Sequence, residues 1–139
     1  MTLSTLILTI AALLHRGTPP PSVVDAIATG CTEEAARGPV DIEVCAALVT
    51  TYAAHESGFR AGVYGDCGAG GCRSYGLLQE PAPIARHLDT LGQVRWWLAT
   101  LRAGTLAGLD SSPTRARRRA ALAARLLDRA TLGVAAPQP

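Results

Sequence analysis

Glu56 is the side chain best placed to do chemistry in this chain of 139 residues. Apolar residues precede it at intervals of three and four positions, which predicts one buried face of a helix: Ile42, Cys45, Val49, Tyr52 and Ala53. Three more residues along that face reach Glu56, which lies in the last turn before the helix would end at Gly58. Burial and the negative end of a helix dipole both favour the neutral form of a carboxyl group there, which is the form a general acid needs. The alternative is a glutamate that turns to solvent or pairs with an arginine.

A glycine-rich stretch follows this helix and leads to a second polar cluster. Seven glycines occur between residues 58 and 76, and they allow positive φ angles and close approach of a ligand to the backbone. Phe59, Val63 and Tyr64 are the only bulky apolar residues before Tyr75. The pattern predicts irregular structure with a small β-hairpin, followed by the polar cluster that ends at Gln79.

Residues 52–79 as a whole resemble a known family. Three motifs carry the likeness: His-Glu-Ser-Gly-Phe at 55–59, Gly-Asp at 65–66 and Ser-Tyr-Gly-Leu-Leu-Gln at 74–79. Together they resemble the lysozyme-like superfamily, specifically the lytic transglycosylase and goose-type lysozyme group with its phage-borne members. The resemblance implies a mainly α fold of the α+β lysozyme-like type, with about six helices and a small β-hairpin beside an active-site cleft.

The resemblance also implies an activity and a set of site residues. Glu56 matches the acid that protonates the glycosidic oxygen between N-acetylmuramic acid and N-acetylglucosamine, which makes the chain a peptidoglycan lytic transglycosylase or lysozyme without cofactor or metal. The residues expected to bind the sugar are Ser57, Ser74, Tyr75, Gly76 and Gln79. Most glycosidases need a second carboxylate. Asp66 is the candidate, and a turn-forming aspartate is the alternative.

One motif of the family is absent. Lytic transglycosylases of this group carry a later Ala-Tyr-Asn motif, whereas this chain has no asparagine and no tyrosine after Tyr75. Three outcomes therefore stay open: anhydro-forming transglycosylation, hydrolysis, and a glycan-binding or structural protein of a virion or cell envelope that has lost turnover.

Four cysteines predict disulfides or a metal site. Cys67 and Cys72 flank Gly-Ala-Gly-Gly, so a bridge between them would close a short loop, and Cys31 and Cys45 would then form the second pair. Four cysteines allow three pairings, and free buried thiols are a further alternative. A zinc site near His55 is disfavoured because the chain has no Cys-x-x-Cys pair. Disulfides imply an oxidising destination, here an extracellular, periplasmic or cell-wall location.

The length predicts a single domain over residues 1–134, with residues 135–139 as a flexible tail. Periodicity predicts helices over residues 3–16, from Ser22 to near Gly30, from Pro39 to Gly58, and over 83–91, 93–102 and 113–132. The first is favoured as a core helix over an export signal, and it is too short to span a membrane. Trp96 lies off the apolar stripe of its helix, so it either packs partly buried or stacks on a sugar.

Charge is distributed unevenly along the chain. Residues 1–112 hold seven arginines and ten acids (−3), whereas residues 113–139 hold six arginines and one acid (+5). We expect Arg117, Arg118 and Arg125 to face water and to attract the anionic cell wall. Nucleic-acid binding by this helix is the disfavoured alternative because no base-reading motif accompanies it. The expected partners are peptidoglycan strands and other virion or tail proteins, as for a phage or virion-associated lysin.

Overall fold

The computed structural model describes residues 1–104 and 109–135, and the side chains of all of these except 134 and 135. This part of the chain is mainly helical, as predicted, with a small antiparallel sheet in the order β1-β2-β3. The helices are α1 Leu3–Leu14, α2 Pro21–Arg37, α3 Ile42–Ser57, α4 Ala82–Ala85, α5 Thr90–Arg102 and α6 Pro113–Ala135. The strands are β1 Tyr64–Gly68, β2 Gly71–Tyr75 and β3 Glu80–Pro81.

Helix α3 is the centre of the fold. Asp41 caps its first turn by accepting hydrogen bonds from the amides of Glu43 and Val44, and Gly58 ends it in a left-handed conformation at φ 61°. It packs against α1, α2 and α6, so it is buried on nearly every side rather than along one stripe. Small residues, including Ala46 and Ala47, let three helices approach it closely.

Several of the predicted helix boundaries are wrong, including the start of α3, which is Ile42 rather than Pro39. Helix α2 does not end near Gly30 but continues to Arg37. A Cβ atom at Gly30 would lie 2.6 Å from Cγ1 of Val94, so this glycine is the place where α5 packs tightly against α2. Packing between the two helices therefore outweighs the weak helix propensity of glycine.

The region predicted as a helix over residues 83–91 is also different. Helix α4 covers only Ala82–Ala85, and α5 begins at Thr90 after Asp89, whose side chain accepts a hydrogen bond from the amide of Gly92. Ile84, expected on a buried face, is 42% exposed. The N-terminal cap at Asp89 starts α5 within the stretch that the apolar spacing assigned to the end of a helix over residues 83–91. At the N-terminus, α1 ends at Leu14 rather than at residue 16.

All four cysteines form disulfides in the pairing considered from the sequence. Cys31–Cys45 joins α2 to α3, and Cys67–Cys72 joins β1 to β2 across the hairpin turn. The alternatives of free thiols and a cysteine-bound zinc ion are therefore wrong. Over residues 1–104 and 109–135, no cluster of three or more histidine, cysteine, aspartate or glutamate side chains could hold a metal ion.

The core lies between α3 and the helices around it, and its largest fully buried side chains include Ile7, Tyr52, Phe59, Leu77 and Trp97. Helix α1 contributes its apolar face to this core. None of the described helices combines the length and the apolar character that crossing a membrane requires. Of the predicted C-terminal tail, residues 136–139 lie outside the described part of the chain.

Candidate active site

Glu56 lies in the last turn of α3 and borders a pocket of about 280 Å³ between the end of this helix, the hairpin and the start of α6. Its side chain is 23% exposed. The hairpin side of the pocket brings in predicted site residues, namely Asp66, Ser74 and Gln79. The remaining lining comes from Arg73, Pro81, Leu109, Ser111 and Arg115.

Arg119 of α6 pairs with Glu56, a contact that was not predicted from the sequence. Its Nη1 donates a short hydrogen bond to Oε1 of Glu56, and the Arg119 side chain is only 13% exposed. The guanidinium carbon lies 4.9 Å from the ring centroid of Tyr52, close enough for a cation–π contact, and Nη1 lies 3.9 Å from Oδ2 of Asp110. The alternative considered for Glu56, a glutamate paired with an arginine, is therefore the arrangement observed.

Asp110 lies next to the Arg119–Glu56 ion pair, on the Arg119 side. Its side chain is fully buried and accepts hydrogen bonds from the Tyr52 hydroxyl at 3.0 Å, the Ser112 amide at 3.0 Å and Arg115 Nη2 at 2.6 Å. Burial alone would raise the pKa of Asp110, but the hydrogen bonds from Arg115, Ser112 and Tyr52 outweigh it and hold that pKa below its usual value. Burial, and then the hydrogen bond to Asp110, raise the pKa of Tyr52. Tyr52 therefore remains a donor to an ionised Asp110.

Asp66 and Ser74 face each other across the hairpin. The Ser74 hydroxyl donates a hydrogen bond of 2.6 Å to Oδ2 of Asp66, and both side chains line the pocket. The bond joins β1 to β2, so it fixes the aspartate rather than leaving it to a local turn. Two carboxyl groups from different elements, Glu56 and Asp66, thus border the same space.

Ser57 connects the end of α3 to the segment after the hairpin. Its hydroxyl donates to the carbonyl of Leu77 at 2.7 Å and accepts a hydrogen bond from the amide of Arg60 at 3.1 Å. The side chain is 3% exposed and does not line the pocket. Its contacts position the backbone on either side of the pocket, and its binding role stays a prediction.

Gln79 is held rigidly over the hairpin. Its side-chain amide donates to the carbonyls of Val63 and Gly76, each at 3.0 Å, and its backbone is left-handed at φ 51°. A Cβ atom at Gly65 would lie 1.8 Å from Oε1 of Gln79, so glycine at 65 is what gives this side chain its place. The amide is thereby presented at the pocket with little freedom to move.

Tyr75 and Gly76 make packing contacts instead of lining the pocket. Gly76 has a φ of 94°, and a Cβ atom there would lie 2.2 Å from Oε1 of Gln93. Gln93 accepts a hydrogen bond from the amide of Leu77 at 2.8 Å, so the glycine makes room for this support. The ring of Tyr75 packs on Tyr64 with centroids 4.7 Å apart.

The sequence does contain a signal for Arg119. This residue falls on the same helical face as four side chains of α6 that are buried or partly buried: Leu122, Ala123, Leu126 and Ala130. An arginine on a core-facing stripe predicts a buried acidic partner. By contrast, Trp96 is partly buried on α5 and is not among the residues that line the pocket.

Comparison of the chain with models of protein families, with curated protein sequences and with solved structures finds no match.

Proposed function

We propose that this protein cleaves the glycan strand of peptidoglycan at the bond between N-acetylmuramic acid and N-acetylglucosamine. Glu56 is the general acid and base, Asp66 is the candidate second carboxylate, and no cofactor takes part. The observation that carries the proposal is that these two carboxyl groups, from a helix end and a hairpin, border one pocket together with the fixed amide of Gln79. Most glycosidases use a pair of catalytic carboxyl groups, one on either side of the bond that is cleaved.

The ion pair with Arg119 must open before Glu56 can act on the glycosidic bond. The guanidinium occupies one oxygen of Glu56. Proton donation to the glycosidic oxygen requires that a bound strand separate Glu56 from Arg119. The freed carboxyl group then serves as the general acid and, after the bond is cleaved, as the general base.

A second candidate function is glycan binding without turnover, as in a structural protein of a virion or cell envelope. The specific observation in its favour is that Arg119 already occupies one oxygen of Glu56, with Tyr52 and Asp110 holding the arginine in place. In this case the pocket binds sugar through Gln79, Ser74 and Arg73, and Glu56 is part of the framework.

The two disulfides fit a destination outside the reducing cytoplasm. We extend this to a place at the cell wall, with a phage or virion-associated lysin as the biological setting. Peptidoglycan strands are the partner in either candidate function.

The test is mass spectrometry of purified peptidoglycan after incubation with the protein. Anhydro products indicate transglycosylation, and reducing-end products indicate hydrolysis. Glu56→Gln should lower the rate by about 10²–10⁴-fold, because general acid–base catalysis contributes that much. Glu43→Gln is the matched control, since Glu43 is an exposed glutamate at the other end of the same helix.

Near-wild-type turnover by a folded Glu56→Gln variant would reject the assignment of the acid. Absence of any product from the wild type, together with retained binding of strands, would favour the second candidate. Asp66→Asn in the same assay measures how much the second carboxylate contributes to the rate. A loss of rate comparable to that of Glu56→Gln makes Asp66 a catalytic partner.

A further inference from the structure

Helix α6 presents a row of exposed arginines that leads toward the pocket. Arg118, Arg125 and Arg129 are exposed, and Arg115 at the start of the row lines the pocket itself. At 100° and 1.5 Å per residue, these four side chains fall within about 80° of arc and extend over about 21 Å of the helix. We call Arg115, Arg118, Arg125 and Arg129 the arginine stripe.

The outer three members of the arginine stripe carry uncompensated charge. Among the residues that the structure describes, none of the ion pairs involves Arg118, Arg125 or Arg129. Arg115 is different because it is bound to Asp110. The one acid on α6 is Asp128, which leaves the helix face strongly positive. Such a row attracts an extended anionic chain over about a Debye length.

The pocket at the end of the stripe restricts what kind of chain fits. Glu56 and Asp66 place two carboxyl groups there. A polymer with a phosphate on every unit, such as nucleic acid, would bring one phosphate into this pocket, where Arg73 and Arg115 balance the two carboxyl groups and leave no net attraction for it. A glycan with anionic groups on only some of its rings can place an uncharged ring in the pocket and its charges on the stripe. Helix α6 also has no aromatic residue on which nucleic-acid bases could stack.

We infer that the arginine stripe is a binding track for an anionic glycan chain whose neutral rings occupy the pocket beside Glu56. This deepens the proposed function and rests on it for the identity of the strand. The binding itself requires no turnover. The arginine stripe captures strands that are long and charged. Short neutral fragments reach the pocket without it.

The experiment measures fluorescence anisotropy of a labelled hyaluronan hexasaccharide, which carries a carboxylate on alternate rings. A chitin hexasaccharide of the same length is the uncharged probe, and duplex DNA is the competitor. The test variant is Arg118→Gln, Arg125→Gln, Arg129→Gln in one chain. The matched control is Arg16→Gln, Arg37→Gln, Arg86→Gln, which removes the same charge from exposed arginines elsewhere.

We expect the stripe variant to bind the hyaluronan probe about tenfold more weakly and with a flatter dependence on salt, because steering by a charged surface contributes at least this much. The control variant should stay close to the wild type, and chitin binding should be equal in all three proteins. An equal loss in both variants would assign the effect to net charge and overturn the inference. Absence of hyaluronan binding would overturn it as well, and displacement of the probe by DNA at lower concentration than by unlabelled hyaluronan would replace it with a nucleic-acid surface.

The same proteins separate this inference from the proposed function. If peptidoglycan is not cleaved but the stripe variant loses hyaluronan binding, only the proposed activity fails. If peptidoglycan is cleaved with the same KM for long strands by the stripe variant and the wild type, only the track fails.

Discussion

Asp110 and Glu80 are two acids buried to nearly the same degree, but the fold surrounds only Asp110 with hydrogen-bond donors. Asp110 lies beside the pocket, where Tyr52, Ser112 and Arg115 all donate hydrogen bonds to it. Glu80 in β3 is 2% exposed, and neither of its oxygens has a hydrogen-bond partner within the described residues. The pKa of Asp110 is lowered although burial alone would raise it, whereas burial raises the pKa of Glu80 to about 9.

This contrast shows that burial sets the cost of a charge and that partners decide whether the cost is met. Asp110 stays ionised because two arginines, a tyrosine and an amide surround it. Glu80 stays neutral at pH 7. Glu80 is not among the residues that line the pocket, although its neighbours Gln79 and Pro81 are. A neutral, buried carboxyl group therefore occurs between two residues of the candidate site.

The largest effect is expected from Glu80→Gln, measured by chemical denaturation at pH 5 and pH 8. The folded state holds the Glu80 proton more tightly than the unfolded state, whose reference pKa is 4.5. The contribution of Glu80 to stability is therefore complete below that value and is lost as the pH rises toward 9. Relative to the wild type, the variant should gain as much as about 4 kcal/mol of unfolding free energy between pH 5 and pH 8, at about 1.4 kcal/mol per pH unit.

The control for this comparison is Glu43→Gln, which removes an exposed glutamate and should run parallel to the wild type. A Glu80→Gln variant that also runs parallel to the wild type would mean that Glu80 ionises freely in the folded protein. The contrast with Asp110 would then disappear.

The next effect is expected from Asp110→Asn. The substitution leaves Arg119, which is only 13% exposed, without the charge that partly offsets its own. Removal of one partner from a buried ionic network costs roughly 3 kcal/mol, to be measured as the unfolding free energy at pH 7. Because the pKa of Asp110 is lowered on folding, its contribution is present above the unfolded value of 3.8 and is lost as the pH falls through the folded value. The difference between variant and wild type should therefore shrink in strong acid.

A loss that is the same at pH 7 and at low pH would attribute the effect of Asp110→Asn to packing rather than to charge. That result would leave Asp110 as a structural hydrogen-bond acceptor. It would also weaken the argument that a buried carboxyl group needs partners to remain ionised here.

The smallest effect is expected from Glu33→Gln. Glu33 pairs with Arg95 between α2 and α5 at 2.6 Å, the same distance as in the Arg115–Asp110 pair. Both side chains of the Glu33–Arg95 pair are largely exposed, so water and salt screen their attraction. Little unfolding free energy is therefore lost when the pair is removed. The melting temperature should equal that of the wild type within error. A loss as large as that of Asp110→Asn would show that burial does not separate the two classes of ion pair.

Local signals predicted much of the molecule. The period of apolar residues placed α3 with Glu56 in its last turn, and Gly58 marked its end. The glycine-rich stretch predicted the hairpin, and the spacing of the cysteines allowed the pairing that forms. Helix ends were less predictable: Gly30 favours a helix end by its own propensity, but contact with Val94 of α5 keeps α2 intact.

The candidate site was predicted only in part. Asp66, Ser74 and Gln79 meet Glu56 at one pocket, whereas Ser57 and Gly76 support the backbone around it. Arg119 was missed because its partner lies 63 residues earlier in the chain. Apolar periodicity indicates that such an arginine faces the core, but it does not identify the acid that receives it.

The sequence by itself determined the elements of this protein, because helix periods, caps, turn glycines and short disulfide loops depend on residues a few positions apart. The tertiary structure alone decided the state of its acids. Glu56, Asp110 and Glu80 are the same kind of group in the sequence, and they differ in how deeply they are buried and in which hydrogen-bond donors reach them. A charge inside a protein is stable or costly according to its neighbours in space, and the packing of α6 against α3 supplies those neighbours for two of the three.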